Sequence, residues 1–241
     1  MVKKVGFIVI GDEILNGKTA DKNINFLAKS LDDYGFDLVE VRVIGDVFDT
    51  IVETVKHFSK KYDYVFTCGG IGGTHDDITF ACVASAFGLE IEQNQEALRR
   101  LSAYYKEREL PLTDTRINLA KMPKGCKLID NSISIAPGAN VENVYVCAGI
   151  PKIFNVMLND ILPTMQGGVK VHKYTIFKEN LSEGTIGDTI AKIASSYDDV
   201  SIGSYPKFHD NGFSTEIVMR SRNKKNLDLC YKDIKSYIDK C

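Results

Sequence analysis

Apolar positions along the chain follow two alternating rhythms. Residues 5–10 form a continuous β-rich run, the pattern of a strand buried on both faces. A polar loop over 11–20 follows. Asp21 stands where a helix N-cap belongs, and Ile24, Leu27, Ala28, Leu31 and Tyr34 then recur at helical spacing. Gly35 supplies the stop. Residues 36–44 read as a second strand, and Val47, Ile51, Val55 and Phe58 mark a second amphipathic helix. Residues 64–68 are a third strand. It runs into Gly69-Gly70-Ile71-Gly72-Gly73-Thr74-His75-Asp76-Asp77 and then a helix predicted over 78–87.

The middle reads as helical over 93–109 and 114–121, punctuated by Pro111 and Pro123. Strands are predicted over 127–129 and 144–147, separated by a turn-rich stretch holding Ala136-Pro137-Gly138. Ala148-Gly149-Ile150-Pro151 leads into a helix carrying Ile153, Val156, Met157 and Ile161. Gln166-Gly167-Gly168 marks a boundary. Beyond it the pattern predicts strand 171–177, helix 184–197, strands 200–204 and 214–219, and helix 225–238. The expected fold class is therefore α/β: a doubly wound, mostly parallel sheet over 1–166, then a small βαββα subdomain over 169–241. Such sheets bind ligands in the loops at the carboxyl ends of their strands. Loops 11–20 and 69–77 and Asp46 all fall at those ends.

Composition narrows the partners. Lys plus Arg number 30 against 32 for Asp plus Glu, so no basic excess exists to grip a nucleic-acid backbone. No stretch reaches membrane-span length, and the apolar run near the amino terminus is too short for a secretory signal. The six cysteines form no C-x-x-C pair, and several lie in apolar runs. A soluble, reducing, cytoplasmic setting is expected, with neither nucleic acid nor membrane as partner.

Two phosphate motifs fail on spacing. Gly11 to Gly17-Lys18-Thr19 has five residues between its glycines where a P-loop needs four, and two are acidic. Gly70-x-Gly72 opens a dinucleotide fingerprint, but His75 replaces the third glycine. The 69–77 loop is informative by itself. Its four glycines let backbone approach a ligand closely, and it feeds a helix N-terminus, which favours an anion. Asp76 and Asp77 would repel a bare phosphate, but fit if a divalent cation sits between carboxylate and phosphate. The competing reading is a cap, because Thr74-x-x-Asp77 has capping-box spacing. Asp12 and Glu13 read either as solvated loop carboxylates or as site residues on the same sheet edge. Asp46 could equally cap the next helix. His75 is the one histidine in a candidate loop.

These residues carry a family resemblance. Gly11-Asp12-Glu13-Ile14-Leu15-x-Gly17, with Asp21 and Asn23 after it, resembles the opening motif of the competence/damage-inducible protein A (CinA) family. Thr67-x-Gly69-Gly70-x-Gly72-x-Thr74-x-Asp76-Asp77-x-Thr79 resembles that family's second motif. The same molybdopterin-binding fold occurs in the MogA/MoaB proteins and in the amino-terminal half of animal FAD synthases. The His75-Asp76-Asp77 version and Ile202-Gly203-Ser204-Tyr205-Pro206 are most similar to the FAD-synthase branch.

The resemblance implies a nucleotide or pterin ligand, held either by an enzyme or by a non-catalytic regulator that keeps the fold and binds a nucleotide. Relatives either hydrolyse dinucleotide pyrophosphates such as FAD or ADP-ribose with a divalent metal (Mg, Mn or Co), or bind and adenylylate molybdopterin. It implies Asp46, Asp76 and Asp77 as catalytic and metal-holding carboxylates. It implies Gly11, Asp12, Glu13, Asp21, Asn23, Thr67, Gly69, Gly70, Gly72, Thr74, His75, Thr79, Pro137 and Gly138 as substrate contacts. A homo-oligomer, dimer or trimer, is expected by the same likeness. So is the absence of CinA's deamidase domain and of the synthetic half of FAD synthase. Where CinA proteins carry Pro-Gly-Val-Pro-x-Glu-Met, this chain reads Ala148-Gly149-Ile150-Pro151-Lys152-Ile153-Phe154.

Overall fold

The computed structural model describes residues 2–209 and 212–241. They divide into two compact units, the first ending at Gly168 and the second spanning Val169–Cys241.

The first unit runs β1 (Lys4–Ile10), α1 (Asp12–Leu15), α2 (Asn23–Asp33), β2 (Asp37–Ile44), α3 (Phe48–Lys61), β3 (Tyr64–Cys68), α4 (Thr79–Phe87), β4 (Ile91–Gln93) and α5 (Gln95–Glu107). It continues with α6 (Asp114–Asn118), β5 (Lys121–Pro123), β6 (Lys127–Ile129), β7 (Gly138–Val141), β8 (Val144–Cys147) and α7 (Pro151–Ile161). The main sheet has the order β2-β1-β3-β8-β7-β6. β2, β1, β3 and β8 are parallel neighbours, whereas β7 and β6 are antiparallel.

The apolar run of β1 explains its interior place between β2 and β3. Alternate side chains serve opposite faces. Ile8 and Ile10 join Ile51, Val55 and Phe58 of α3 and Val83 of α4 on one side. Val5, Phe7 and Val9 join Leu27 and Leu31 of α2 and Phe154 and Met157 of α7 on the other. Phe7 stacks on Phe154 with centroids 5.6 Å apart. Burial of each such side chain stabilises by roughly 1.5–3 kcal/mol. The two helical layers hold the sheet rigid, so its loop edge is held too.

Local rules set the helix ends. The Asp21 carboxylate accepts the Ile24 N–H at 2.8 Å, and Gly35 turns the chain out of α2 with φ of 78°. The helix expected from residue 93 begins only at Gln95, because Asn94 caps it: its Oδ1 accepts the Ala97 N–H at 3.0 Å. Gln93 instead belongs to β4, paired with β5. Lys121, expected at a helix end, lies in β5, since α6 closes at Asn118. The turn-rich stretch ending at Gly138 gives way to a strand not foreseen, β7.

The second unit comprises β9 (His172–Glu179), α8 (Glu183–Ala194), β10 (Ser201–His209), β11 (Gly212–Ser221) and α9 (Lys224–Ile238). Its antiparallel sheet has the order β10-β11-β9. Ile176, Ile217 and Met219 pack against Ile186 of α8 and against Leu227 and Ile234 of α9. Asn223 caps α9 by accepting the Asn226 N–H at 3.3 Å. Among the described residues no helix is long and apolar enough to cross a membrane.

One polar cluster ties β2 to the end of α3. Glu40 accepts from Lys61 Nζ at 2.7 Å, from the Tyr62 hydroxyl, and from Arg42 at 2.8 Å. The Lys61 bond first, then those of Tyr62 and Arg42, pull its carboxyl down to about 2. A carboxylate lowered by folding stabilises above its unfolded value, and that support is lost as pH falls through its folded value. Urea midpoints are therefore expected to fall from about pH 4.3 toward pH 2, and Glu40→Gln is expected to flatten that slope. A slope unchanged in the variant would contradict this.

Candidate functional site

β1, β2, β3 and β8 run parallel, so the loops that leave them emerge on one edge of the sheet. A cavity of about 500 Å³ lies there. Gly69, Gly70 and Gly72 form one wall, with Glu13 and Asp77 beside them. Ile71, Tyr105 and Leu119 give it an apolar side. Asn131, Ser134 and Ala136 come from the segment between β6 and β7, and Ala148 to Pro151 from the loop after β8. Its size falls within the usual range for small-molecule sites.

The glycine loop is pinned by backbone geometry. Gly69 has φ of 104°, and a Cβ there would lie 2.0 Å from the Ile10 carbonyl oxygen. Only glycine takes that conformation in that space. Thr79, the first residue of α4, closes the loop behind it. Its N–H donates to the Gly70 carbonyl at 3.0 Å and its buried hydroxyl to the Gly69 carbonyl at 2.9 Å.

The predicted carboxylates do not all meet. Asp77 borders the cavity. Its Oδ2 accepts from the Thr74 N–H at 3.0 Å and shares the single hydroxyl hydrogen of Thr74 with Asp76 Oδ1. The capping-box pair of Thr74 and Asp77 thus forms, but it closes a turn ahead of the helix, which starts at Thr79. Asp76 and His75 point outward, with side chains 72% and 99% exposed. The Thr74 hydroxyl beside Asp76 holds its carboxyl below the usual range. Asp46 is engaged with Asp12. Asp46 Oδ2 accepts the Asp12 N–H at 3.0 Å, and Asp12 Oδ1 accepts the Asp46 N–H at 3.3 Å. This exchange links the end of β1 to the end of β2. It places Asp46 Oδ1 3.5 Å from where a Gly70 Cβ would stand, at the outer edge of the glycine loop. Among the described residues, no three His, Cys, Asp or Glu side chains gather to hold a metal ion. Asp46, Asp76 and Asp77 do not form one cage. Glu13 and Asp77 are the acidic groups that line the cavity, and a Mg²⁺-type ion needs only one or two carboxylates plus substrate oxygens.

The remaining predicted positions act from behind. Asn23 is buried, and its Nδ2 donates to the Gly149 carbonyl at 2.9 Å and toward Cys68 Sγ at 3.5 Å. It so fixes the loop after β8. Asn23 Oδ1 and the buried Thr67 hydroxyl have no protein partner. Gly11 sits under the Glu13 carboxylate. Pro137 and Gly138 do not line the cavity: Gly138 begins β7, where a Cβ would stand 2.5 Å from the Val146 carbonyl oxygen. Burial pushes the Cys68 thiol up to about 12 and that of its neighbour Cys147 well above its usual value, which disfavours the thiolate at both. Sequence reasoning missed Tyr105, Leu119, Asn131, Ser134 and Ile150. The turn-rich stretch holding Ala136-Pro137-Gly138 is the sequence signal nearest Asn131 and Ser134, and Ala148-Gly149-Ile150-Pro151 is the one that contains Ile150.

Comparison with known proteins agrees with this architecture. A CinA protein of unknown function from Thermoplasma acidophilum superposes with a TM-score of 0.62 at 28% identity, over 68% of this chain and 98% of that one. A protein of Archaeoglobus fulgidus is 32% identical over 83% of this chain and 84% of its own length. A probable FAD synthase of Caenorhabditis briggsae is 28% identical over 94% of this chain but 48% of its own length. The chain thus spans about half the length of that nematode relative. Residues 170–240 match the middle domain of FAD synthase. Residues 6–167 match the probable molybdopterin-binding domain, and the chain belongs to that family.

Proposed function

We propose that this chain binds a small phosphate-bearing nucleotide in the cavity beside the glycine loop and hydrolyses its pyrophosphate link. The observation that carries this reading is the cavity's mixed lining. It combines close-approach glycine backbone and two carboxylates with the apolar Ile71, Leu119 and the ring of Tyr105. A ligand with an anionic chain and a flat ring matches both. FAD and ADP-ribose have that form, and the nematode relatives named probable FAD synthase support a flavin nucleotide.

The residues divide the work. Backbone N–H groups along 69–72 hold phosphate oxygens, as backbone nests do. Asp77, fixed by Thr74, and Glu13 hold the position beside them. A divalent cation bound there with the phosphate oxygens would polarise a phosphoryl group and lower the pKa of an attacking water. Asn23 and Thr79 keep the two flanking loops in place.

A second reading rests on the family match, whose description is a probable molybdopterin-binding domain. A pterin also offers a ring and a phosphate. Incubating the pure chain with FAD and with ADP-ribose, each with Mg²⁺, Mn²⁺ or Co²⁺, separates the two. Release of AMP, read by mass spectrometry, is expected. No AMP with any metal, together with pterin fluorescence in the purified protein, would favour the pterin reading instead.

A further inference from the structure

Residues 131–136 form a loop that the proposed chemistry does not yet use. Asn131 is its hub and is buried. Its Oδ1 accepts the N–H groups of Ile133 at 3.0 Å and Ser134 at 3.3 Å. Those two donors fix which way the amide faces. Its Nδ2 then donates to the Ala136 carbonyl at 2.9 Å and to Ser134 Oγ at 2.7 Å. Every hydrogen-bonding position of the Asn131 amide is thus spent within its own loop.

Two consequences follow. First, Ile135 stands at φ of 62°, a left-handed conformation that is rare for a β-branched residue. Such strain persists only where the surroundings over-determine it, and it clusters at ligand sites. Here the Ile135 N–H is tied to the Asn131 carbonyl at 3.0 Å, and its side chain packs on the core. Second, Ser134 accepts from Asn131, so its own hydroxyl hydrogen must donate elsewhere. Among the described residues it donates to no protein group, and Ser134 lines the cavity, as Tyr105 and Leu119 do.

We propose that this loop reads the ring of the ligand. Ser134 donates its hydroxyl hydrogen to an acceptor atom, a ring nitrogen or carbonyl oxygen, on a planar heterocycle lying along Tyr105 and Leu119. Asn131 is the positioning residue that holds Ser134 at that angle. The inference rests on the nucleotide reading above and names which part of the ligand the loop recognises.

Calorimetric titration of the full chain with FAD, ADP-ribose and, as a ringless control, inorganic pyrophosphate, all with Mg²⁺, tests it. Ser134→Ala is expected to weaken the ring-bearing ligands about 5- to 10-fold, the loss of one hydrogen bond. Ser134→Thr, which keeps the hydroxyl, is expected to restore most of that loss. Asn131→Ala is expected to weaken the same ligands at least as much and to speed amide exchange across 131–136. Pyrophosphate affinity is expected to stay the same in all three. If the unmodified chain binds no ring-bearing ligand, the nucleotide reading and this one both fail. If it binds them and Ser134→Ala changes nothing, or weakens pyrophosphate equally, this inference alone is overturned.

Discussion

Gly69→Ala is expected to destabilise the first unit by about 3 kcal/mol or more and to abolish ligand binding. Two independent terms add. The residue would be forced to hold φ of 104°, and its new methyl would lie 2.0 Å from the backbone oxygen of Ile10. A backbone atom of β1, paired on both sides within the sheet, has nowhere to go, so the loop must shift instead. That shift moves the wall of the cavity. Gly88 supplies the comparison. It also has positive φ, at 66°, where it ends α4, but a Cβ there meets nothing within 4 Å. Gly88→Ala is expected to cost only about 1 kcal/mol, the conformational term alone. Urea unfolding of the two variants checks this. Equal costs would mean that the close approach of β1 to the glycine loop is not a constraint.

Asp77→Asn is expected to lower AMP release from FAD or ADP-ribose by about 100-fold or more while leaving stability nearly unchanged. The amide oxygen can still accept the two Thr74 hydrogen bonds that hold the turn. What disappears is the negative charge at the cavity wall. If the carboxylate serves only the turn, the variant keeps both its fold and its activity. The measurement is initial rate against thermal midpoint in the same preparation. Loss of both together would show that the charge supports the fold instead.

The parts legible in the sequence share a physical cause. β1 and β3 are continuous apolar runs because the parallel sheet buries them on both faces, and α2 and α3 show clean helical spacing because each buries one stripe. The glycine loop was visible because four glycines in five residues serve no helix or strand. Three short elements were not visible, although β6, equally short, is read at 127–129. α1 is four residues long and β4 and β5 are three each, too short for any period to show, and they form through pairing or loop closure. β7 begins at a glycine after a proline, which locally reads as turn, and is a strand because β6 and β8 flank it.

The site divides in the same way. Glu13, Gly69, Gly70, Gly72 and Asp77 lie in two local motifs and do reach the cavity. Tyr105, Leu119, Asn131 and Ile150 reach it from four separate stretches of chain, and only the fold brings them there. The aspartates differ for a geometric reason. Both Asp76 and Asp77 reach the Thr74 hydroxyl, but Asp77 also borders the cavity while Asp76 stays largely exposed. Asp46, which spacing alone could assign to a metal or a cap, serves a third purpose: it clasps Asp12 across the loop edge.

The proposed nucleotide site is the cavity lined by the glycine loop and the 131–136 loop. Hydrogen–deuterium exchange with and without ADP-ribose or FAD, in the presence of Mg²⁺, tests it most directly. Amide exchange reports local opening segment by segment. Slowed exchange is predicted across 69–77, 131–136 and 148–151 together. Ligand binding that slows exchange only outside these three segments would contradict a nucleotide site in this cavity.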